Sequence, residues 1–291
     1  MRKIVLPFEG NEQMANAIRL GLGCPLGQFE MRRFPDGETY VRLITDVLEC
    51  EVIVVATLHR PDDKFLPLIF LLRLLKDAGA KKIILVAPYL AYMRQDKQFK
   101  PGEAVTSTYF AELISPFIDE LITIDPHLHR HHSMKEIYTA SAKVLHASNS
   151  ITTWIKKTIP NPVLIGPDSE SEQWVSQVAA TAGAPYFVLN KERHGDRNVE
   201  ISFPETRSFQ NLVPVLVDDI ISTAHTMIVT VRRLQELGFE KPICIGVHAI
   251  FADKSFEELR DAGAAQIVTC NTISHISNGI DLSPIIIEAL K

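Results

Sequence analysis

The sequence predicts an α/β fold, in which mainly parallel sheets are flanked by helices. Short apolar runs rich in Val and Ile recur along the chain, and most of them end in polar residues, Gly or Pro. Such runs are typical of strands buried in a parallel sheet. Helical patterns lie between the runs, and an alternation of strands and helices is the signature of this fold class. A repeated connector sequence further indicates two similar domains.

The apolar runs are the predicted strands. Each is rich in Val and Ile, and Gly, Pro or polar residues end most of them. In chain order they read KIVLPF, EVIVVATL, KKIILVAPYL, ELITIDPH, NPVLIGPD, PYFVLNK, VPVLVDD, KPICIGVHAIF and QIVTCNTI.

Helical patterns separate several of these strands, and a glycine closes each of the clearest ones. Glycine is common just past the end of a helix because it adopts the left-handed conformation without a steric penalty. The three patterns are KFLPLIFLLRLLKDAG, SEQWVSQVAATAG and HTMIVTVRRLQELG.

Two similar segments of the sequence support a duplication of the domain. LLKDAGAKKIILVAPY near residue 80 is similar to EELRDAGAAQIVTCNT near residue 265. A common helix-to-strand connector would produce the same similarity, but the predicted strands also divide about equally between the two halves of the chain. We therefore expect two similar domains, residues 1–145 and 146–291, joined near HASNSITTWIKKTIPNP. The last helix is free to pack back on the first domain.

Composition excludes several classes of protein. The 291 residues are 46% hydrophobic and 22% charged, with a formal net charge of -5, which argues against broad electrostatic binding of nucleic acid. The apolar stretch FLPLIFLL stops at Arg73, whereas a membrane span needs about 20 residues. The N-terminal apolar run is too short for a signal peptide. The four cysteines form no CxxC pair, and we interpret them as reduced thiols of a cytoplasmic protein.

Ligands of parallel α/β sheets bind beyond the carboxyl ends of the strands, so the residues that follow each strand are the candidate site. After VPVLV come Asp218 and Asp219, adjacent carboxylates that can accept hydrogen bonds from neighbouring sugar hydroxyls. The following Ser-Thr-Ala-x-Thr turn offers hydroxyls and backbone N–H groups at a helix N-terminus, which favours phosphate. A helix cap beside a solvated acidic pair is the alternative.

Cationic residues follow two other predicted strands. The connection after KKIILVAP carries Arg94, Gln95, Asp96, Lys97 and Lys100; it can grip phosphate, or it can be a solvated surface loop. The loop after PYFVL carries three permanent cations, which suits stabilisation of charge during phosphoryl transfer. A basic hairpin turn is the alternative for this loop. The three cations are Lys191, Arg193 and Arg197.

Two strand ends carry candidate metal ligands. The run of residues 125–132, DPHLHRHH, can suggest a transition metal, but no cysteine or acidic cluster accompanies it. His127 can instead be a single ligand of a Mg²⁺ ion that otherwise keeps water and phosphate oxygens. Asp168 can contact substrate or hydrated Mg²⁺, or it can cap the next helix.

The segment RFPDGE is a strong turn signal. The Pro-Asp-Gly sequence at positions 35–37 predicts a turn, and Phe34 beside two acids, Asp36 and Glu38, can meet a purine ring and its amino group. An ordinary hairpin with Phe34 in the core is the alternative.

Taken together, these stretches resemble the PRPP synthase (ribose-phosphate pyrophosphokinase) family, and its archaeal-type branch most. The matching segments run from residue 32 to residue 274, and the combination of FPDGE, PYxxYxRQD and VDDIxST is highly specific. They are RRFPDGETYVRL, APYLAYMRQDKQFKPGEAVTS, IDPHLH, GPDSE, LNKER, VLVDDIISTAHT and VTCNTIS.

The resemblance implies two phosphoribosyltransferase-like domains. It also implies an enzyme that transfers diphosphate from Mg-ATP to the C1 hydroxyl of ribose 5-phosphate, giving PRPP and AMP. It further implies self-association as a dimer or a larger oligomer with a shared ATP site. Neither nucleic acid nor a membrane is an expected partner.

The resemblance also assigns roles to residues. Phe34, Asp36 and Glu38 match positions that meet the adenine from a neighbouring subunit, and Arg94 and Gln95 match nucleotide-binding positions, with Asp96 beside them. The remaining matches are His127 and Asp168 at the Mg²⁺-substrate assembly, Lys191 and Arg193 as mobile catalytic cations, Asp168, Asp218 and Asp219 at the sugar, and Ser222, Thr223, Ala224 and Thr226 at the 5-phosphate.

The sequence departs from the family pattern at several positions. His225 stands where the family usually has Gly, which allows backbone to approach phosphate closely. We expect the N–H of residue 225 to keep its role and the side chain to face solvent. The segment HRHHS follows His127 where the family has a Gln-rich, aromatic segment tied to subunit packing and regulation. Ser274 stands where Pro is common.

Two other functions fit the same sequence less well. A non-catalytic regulatory homologue would keep the fold but lose site residues, whereas this chain retains Lys191, Arg193 and His127. A phosphoribosyltransferase that consumes PRPP would share VDDIxST, but it has no need of RFPDGE or RQD.

Overall fold

The computed structural model describes residues 1–128, 130, 133–167, 171–194, 198–202, 209 and 211–291. The chain divides into two compact units, one formed by Met1–Leu145 with Ser283–Lys291 and the other by His146–Leu282. Each unit contains a parallel sheet with helices, so the predicted fold class is confirmed. The last helix of the chain belongs to the first unit. That residues 1–145 and 146–291 are independent domains stays a prediction.

The first unit is built on a five-stranded parallel sheet. Its strands are β1 (Lys3–Pro7), β4 (Glu51–Val55), β5 (Lys82–Ala87), β6 (Glu120–Ile124) and β7 (Ser141–Leu145). They lie side by side in the order β1-β4-β5-β6-β7. The inner strands are buried along almost their whole length, as expected for Val- and Ile-rich runs covered on both faces.

The helices of the first unit cover this sheet. They are α1 (Glu12–Leu22), α2 (Asp62–Asp77), α3 (Thr106–Ile114) and α8 (Ser283–Leu290). The helix predicted from KFLPLIFLLRLLKDAG is α2. Its buried leucines, Leu68, Leu71, Leu72 and Leu75, follow the spacing of one helical face. Burying one such side chain contributes about 1.5–3 kcal/mol.

An antiparallel hairpin of β2 (Phe29–Arg33) and β3 (Thr39–Leu43) stands apart from the main sheet. It is attached to α2 where a helical hydrogen bond is missing. Pro67 lies inside α2 and has no N–H to donate to the carbonyl of Asp63. The guanidinium of Arg33 donates to that carbonyl instead, at 3.3 Å. The proline therefore leaves an acceptor on the helix that the hairpin uses.

The second unit contains a six-stranded parallel sheet. Its strands are β8 (Pro162–Gly166), β9 (Tyr186–Val188), β12 (Val213–Ile221), β13 (Ile243–Ala249), β14 (Gln266–Cys270) and β15 (Asn278–Ile280). Their order across the sheet is β15-β14-β13-β12-β8-β9. The strands β8, β12 and β13 form its buried centre.

Helices and one further hairpin complete the second unit. The helices are α4 (Ser148–Thr158), α5 (Glu172–Ala182), α6 (His225–Glu236) and α7 (Ser255–Asp261), and the hairpin is formed by β10 (Asn190–His194) and β11 (Asn198–Ser202). The predicted helices α5 and α6 are confirmed. Gly183 directly follows α5 with φ 70°, which is the left-handed closure expected from sequence. None of the described helices is both long enough and apolar enough to cross a membrane.

Candidate functional site

The strand β12 is longer than the sequence predicts. The sequence predicts that the strand ends at Asp218 and Asp219, the last residues of VPVLVDD, but it continues to Ile221. Its neighbour β8 pairs with β12 only as far as Leu216, whereas β13 pairs with it through Ile221. The two acids therefore lie in strand conformation beyond the paired part of β8, and both are half-buried. The apolar run is shorter than the strand because the two properties have different causes. Apolar residues mark the part of β12 that is buried, whereas the length of the strand is set by its hydrogen bonds to β13.

The turn after β12 has a backbone suited to an anion. Ala224 adopts the left-handed conformation with φ 55° and ψ 6°, and α6 begins at the next residue, His225. A left-handed residue followed by a helical one directs successive N–H groups toward a common point. The first N–H groups of a helix also lack partners within it. Ser222 and Thr226 are half-buried beside this turn, and Thr223 is exposed.

His225 is an exposed first residue of α6. The positive φ that glycine tolerates best therefore falls on Ala224, one residue earlier. The departure from the family pattern at position 225 imposes no backbone strain there, because the residue is helical.

The carbonyl oxygens just before this turn are held by the loop after β13. The N–H of Phe251 donates to the carbonyl of Ile221 at 2.9 Å. The carbonyl of Ser222 accepts from the N–H of Ala252 at 3.1 Å and from the hydroxyl of Ser255 at 2.8 Å. Sequence reasoning missed this support, because ADKS after IGVHAIF carries no recognised motif.

Three adjacent strands bring further predicted residues to the same edge of the second sheet. β8 lies between β9 and β12, and all three run parallel, so their carboxyl ends are side by side. With a spacing of about 4.8 Å between strands, β9 and β12 lie about 10 Å apart across the sheet, and β12 continues beyond the level at which β9 ends. Asp168 would follow β8, but it lies outside the described residues.

Lys191 and Arg193 belong to strand β10, which begins two residues after β9 ends. Lys191 pairs with Ile201 and Arg193 with Val199 in the antiparallel hairpin. The alternative of a hairpin was therefore correct as a description of the backbone. It does not exclude the catalytic role, since the hairpin starts at the sheet edge that carries Asp218.

In the first unit, the FPDGE segment forms the turn of the β2–β3 hairpin. The N–H of Phe34 donates to the carbonyl of Glu38 at 2.8 Å, and Gly37 takes φ 93°. The side chain of Phe34 is 40% exposed, so the alternative that placed it in the core is wrong. Arg32 lies over its ring, 4.9 Å from the centroid. The backbone N–H of Glu38 donates to the carboxylate of Asp36 at 3.1 Å, within the same turn.

The connection after β5 is only partly a surface loop. Tyr89, Leu90, Ala91 and Met93 are buried, whereas Arg94 is exposed. The side chain of Gln95 is half-buried and accepts a hydrogen bond from the hydroxyl of Thr106 at 3.1 Å, at the start of α3. Arg94 is therefore an exposed residue in a loop whose neighbouring residues are buried or hydrogen-bonded.

Asp96 is buried and bonded to a cation. Its carboxylate receives two hydrogen bonds from Arg130, at 2.7 and 3.0 Å, and its side chain is 2% exposed. A direct contact of Asp96 with nucleotide stays a prediction. What the structure shows is a link between the loop after β5 and the segment after β6, where Arg130 lies.

His127 follows β6 and is half-buried. His129, His131 and His132 lie outside the described residues, so the histidine run is not tested. Among the residues that the structure describes, no group of three or more His, Cys, Asp and Glu side chains could hold a metal ion.

A cationic cluster at the end of β4 was missed. The amine of Lys64 donates to Nδ1 of His59 and to the carbonyl of Thr57, both at 3.1 Å. Burial, helped by Lys64 and Arg60, lowers the pKa of His59 to about 4. The strand-end rule, applied to EVIVVATL, would have found HRPDDK.

These loops are neighbours in the first unit because β4, β5 and β6 are adjacent parallel strands. The hydroxyl of Tyr92, in the loop after β5, donates to the carboxylate of Asp62 at the start of α2. Burial and this carboxylate raise the pKa of Tyr92 to about 12. The strand that precedes Arg94 thus lies between the strands that precede the His59 cluster and His127.

Comparison with known proteins gives consistent results. The N-terminal domain of ribose phosphate pyrophosphokinase matches residues 4–117, and the phosphoribosyl transferase domain matches residues 134–284. The ribose-phosphate pyrophosphokinase of Sulfurisphaera tokodaii is 35% identical over 272 residues, which cover 91% of this chain and 92% of the relative. That of Methanopyrus kandleri is 30% identical and covers 99% and 98%.

One solved structure is similar over the whole chain. The phosphoribosylpyrophosphate synthetase from Mycobacterium smegmatis superposes with a TM-score of 0.87, covering 100% of this chain and 98% of its own. The sequence identity is 20%, so this likeness concerns the fold. It confirms two α/β domains of the predicted kind.

Proposed function

The chain belongs to the ribose-phosphate pyrophosphokinase family, and from that premise we propose that it transfers diphosphate from ATP to the C1 hydroxyl of ribose 5-phosphate. The products are PRPP and AMP. The observation that carries this proposal is the turn after β12, where Ala224 in the left-handed conformation precedes α6 and follows two half-buried carboxylates. This edge offers an anion site beside two acceptors for hydroxyl groups.

The sugar phosphate binds to the second unit. The N–H groups of the 222–226 turn and the hydroxyls of Ser222, Thr223 and Thr226 hold the 5-phosphate, with the positive end of α6 favouring its charge. Asp218 and Asp219 accept hydrogen bonds from the ribose hydroxyls. Asp168 contributes to the same substrate. This placement orients the C1 hydroxyl without a covalent intermediate.

The transfer step makes one bond and breaks one. The C1 oxygen attacks the β-phosphorus in line, the bond from that phosphorus to the oxygen of the α-phosphate breaks, and AMP leaves. The proton of the C1 hydroxyl passes to solvent water. Lys191 and Arg193 neutralise charge on the transferred oxygens, which is where positioned cations accelerate phosphoryl transfer.

The proposed divalent cation is Mg²⁺, to which this chain would offer one carboxylate and one imidazole nitrogen. Mg²⁺ is usually bound through one or two protein ligands, with water and phosphate oxygens completing its shell. His127 and Asp168 are the residues proposed to hold it, and a cage of three or more protein ligands is not needed. When bound, Mg²⁺ supplies charge neutralisation and alignment of the phosphates.

ATP binds to residues of the first unit. Arg94 and Gln95 contact the nucleotide, with Asp96 beside them, and the adenine meets Phe34, Asp36 and Glu38 of a neighbouring subunit. The exposure of Phe34 at a hydrogen-bonded hairpin turn supports this, because an exposed aromatic side chain is available to a second copy. The active form is thus a dimer or a larger oligomer.

A single assay distinguishes this function from the two alternatives. The protein is mixed with Mg²⁺, ATP and ribose 5-phosphate, and AMP and PRPP are measured. We expect AMP to form only when ribose 5-phosphate is present. Nucleotide binding without turnover would indicate a regulatory homologue, and activity only with PRPP and a nucleobase would indicate a phosphoribosyltransferase. Either result would overturn the proposal.

A further inference from the structure

The turn of residues 222–226, which the proposed function assigns to the 5-phosphate, is called the phosphate turn below. Two backbone carbonyls at its start accept hydrogen bonds from a loop of the same unit. The loop of residues 250–255 follows β13, and it donates to the carbonyls of Ile221 and Ser222. The carbonyl of Ser222 receives two donors, the N–H of Ala252 at 3.1 Å and the hydroxyl of Ser255 at 2.8 Å. Both positions that a carbonyl oxygen offers to donors are therefore used.

Anchoring this oxygen fixes the direction of the next N–H. In a planar trans peptide the C=O of Ser222 and the N–H of Thr223 belong to one rigid group and point to opposite sides. Holding the oxygen toward residues 252 and 255 therefore turns the N–H of Thr223 the other way. The same constraint sets the start of the turn that leads to Ala224, whose left-handed conformation follows at φ 55°.

The anchoring loop is itself held in an unusual conformation. Phe251 and Asp253 have positive φ values of 40° and 53°, which non-glycine residues adopt only when their surroundings hold them there. The ring of Phe251 packs edge-on against Phe256, with centroids 5.2 Å apart. The N–H of Ser255 donates to the carbonyl of Ala252 at 3.0 Å, and Ser255 is 3% exposed. The hydroxyl of Ser255 thus has a fixed position.

We propose that Ser255 is a positioning residue for sugar-phosphate binding: its hydroxyl holds the Ser222–Thr223 peptide so that the turn presents its N–H groups to the 5-phosphate. This inference rests on the proposed function, because it assigns the turn to ribose 5-phosphate. Ser255 touches the backbone of the turn and acts through it.

The test compares Ser255→Ala with a matched control. Thr152→Val also removes one buried hydroxyl of the second unit, but that hydroxyl bonds to the carbonyl of Val178 at 3.5 Å, and neither to the turn nor to its anchoring loop. We expect Ser255→Ala to raise KM and Kd for ribose 5-phosphate about tenfold, because one buried hydrogen bond is lost. KM for ATP should change less than about twofold. Ser255→Thr, which keeps the hydroxyl, should restore most of the affinity.

The outcomes separate the inference from the function on which it rests. If the wild type forms AMP from ATP and ribose 5-phosphate, and Ser255→Ala binds the sugar phosphate as tightly as Thr152→Val, Ser255 has no positioning role. A Ser255→Thr variant that folds but binds as weakly as Ser255→Ala would also overturn it. If the wild type neither binds ribose 5-phosphate in calorimetry nor forms AMP, the proposed function fails.

Discussion

At the scale of residues, the phosphate turn shows how one conformation decides which substitutions matter. The family resemblance singled out His225, because glycine is usual there. The structure places the positive φ on Ala224 and makes His225 the first helical residue. Position 225 therefore contributes its N–H whatever its side chain. A short side chain matters more at position 224, where the left-handed conformation disfavours large and branched residues.

We accordingly expect His225→Gly to change sugar-phosphate binding little. KM for ribose 5-phosphate should stay within about threefold of the wild type, and the free energy of unfolding should fall by no more than about 1 kcal/mol, the cost of glycine in a helix. Steady-state kinetics and thermal unfolding measure both. A loss of activity of a hundredfold or more would show that the imidazole is a working ligand.

Most candidate residues could be identified from the sequence, because they follow the carboxyl ends of predicted strands. Their hydrogen-bond partners could not. Asp96 followed from its motif, yet its bond to Arg130 joins residues 34 positions apart and has no local signal. The hydroxyl of Ser255 and the carbonyl of Ser222 are similarly 33 positions apart. Such contacts depend on which strands are neighbours, and the sequence pattern does not give the order of strands in a sheet.

At the scale of elements, burial decided which strands could be predicted. The nine predicted apolar runs are all confirmed as strands: β1, β4, β5, β6, β8, β9, β12, β13 and β14. The edge strand β7 was not predicted, because its residues are exposed or half-buried and its sequence SAKVL has no continuous apolar run. The end of β12 was predicted too early for a related reason. Its pairing with β13 continues past the two acids to Ile221.

The β10–β11 hairpin carries the element-scale prediction. We expect Lys191→Ala to lower kcat at least about a hundredfold, because it removes a cation from the transferred phosphate oxygens. The free energy of unfolding should hardly change, since β10 pairs with β11 through backbone groups.

The control for this variant is Lys241→Ala, which removes an exposed lysine before β13 in the same unit. Single-turnover formation of AMP is the measurement. Equal rates for Lys191→Ala and the wild type would show that Lys191 has no role in the mechanism.

At the scale of the whole molecule, the fold class and the two-sheet organisation followed from sequence, and the comparisons confirmed the family. Each unit gathers its candidate residues at the carboxyl edge of one parallel sheet, as expected for α/β proteins. In the first unit this edge carries Arg94, His127 and the unpredicted His59 cluster. In the second it carries Asp218, Asp219 and the turn before α6. The placement of substrates on these two edges is the central claim.

A crystal structure of the chain with Mg²⁺, a non-hydrolysable ATP analogue and ribose 5-phosphate tests this claim most directly. We predict that the 5-phosphate lies against the N–H groups of residues 223–226 and that the ribose hydroxyls bond to Asp218 and Asp219, with the nucleotide phosphates near Arg94. A sugar phosphate bound away from the turn before α6, with that turn empty, would contradict the account.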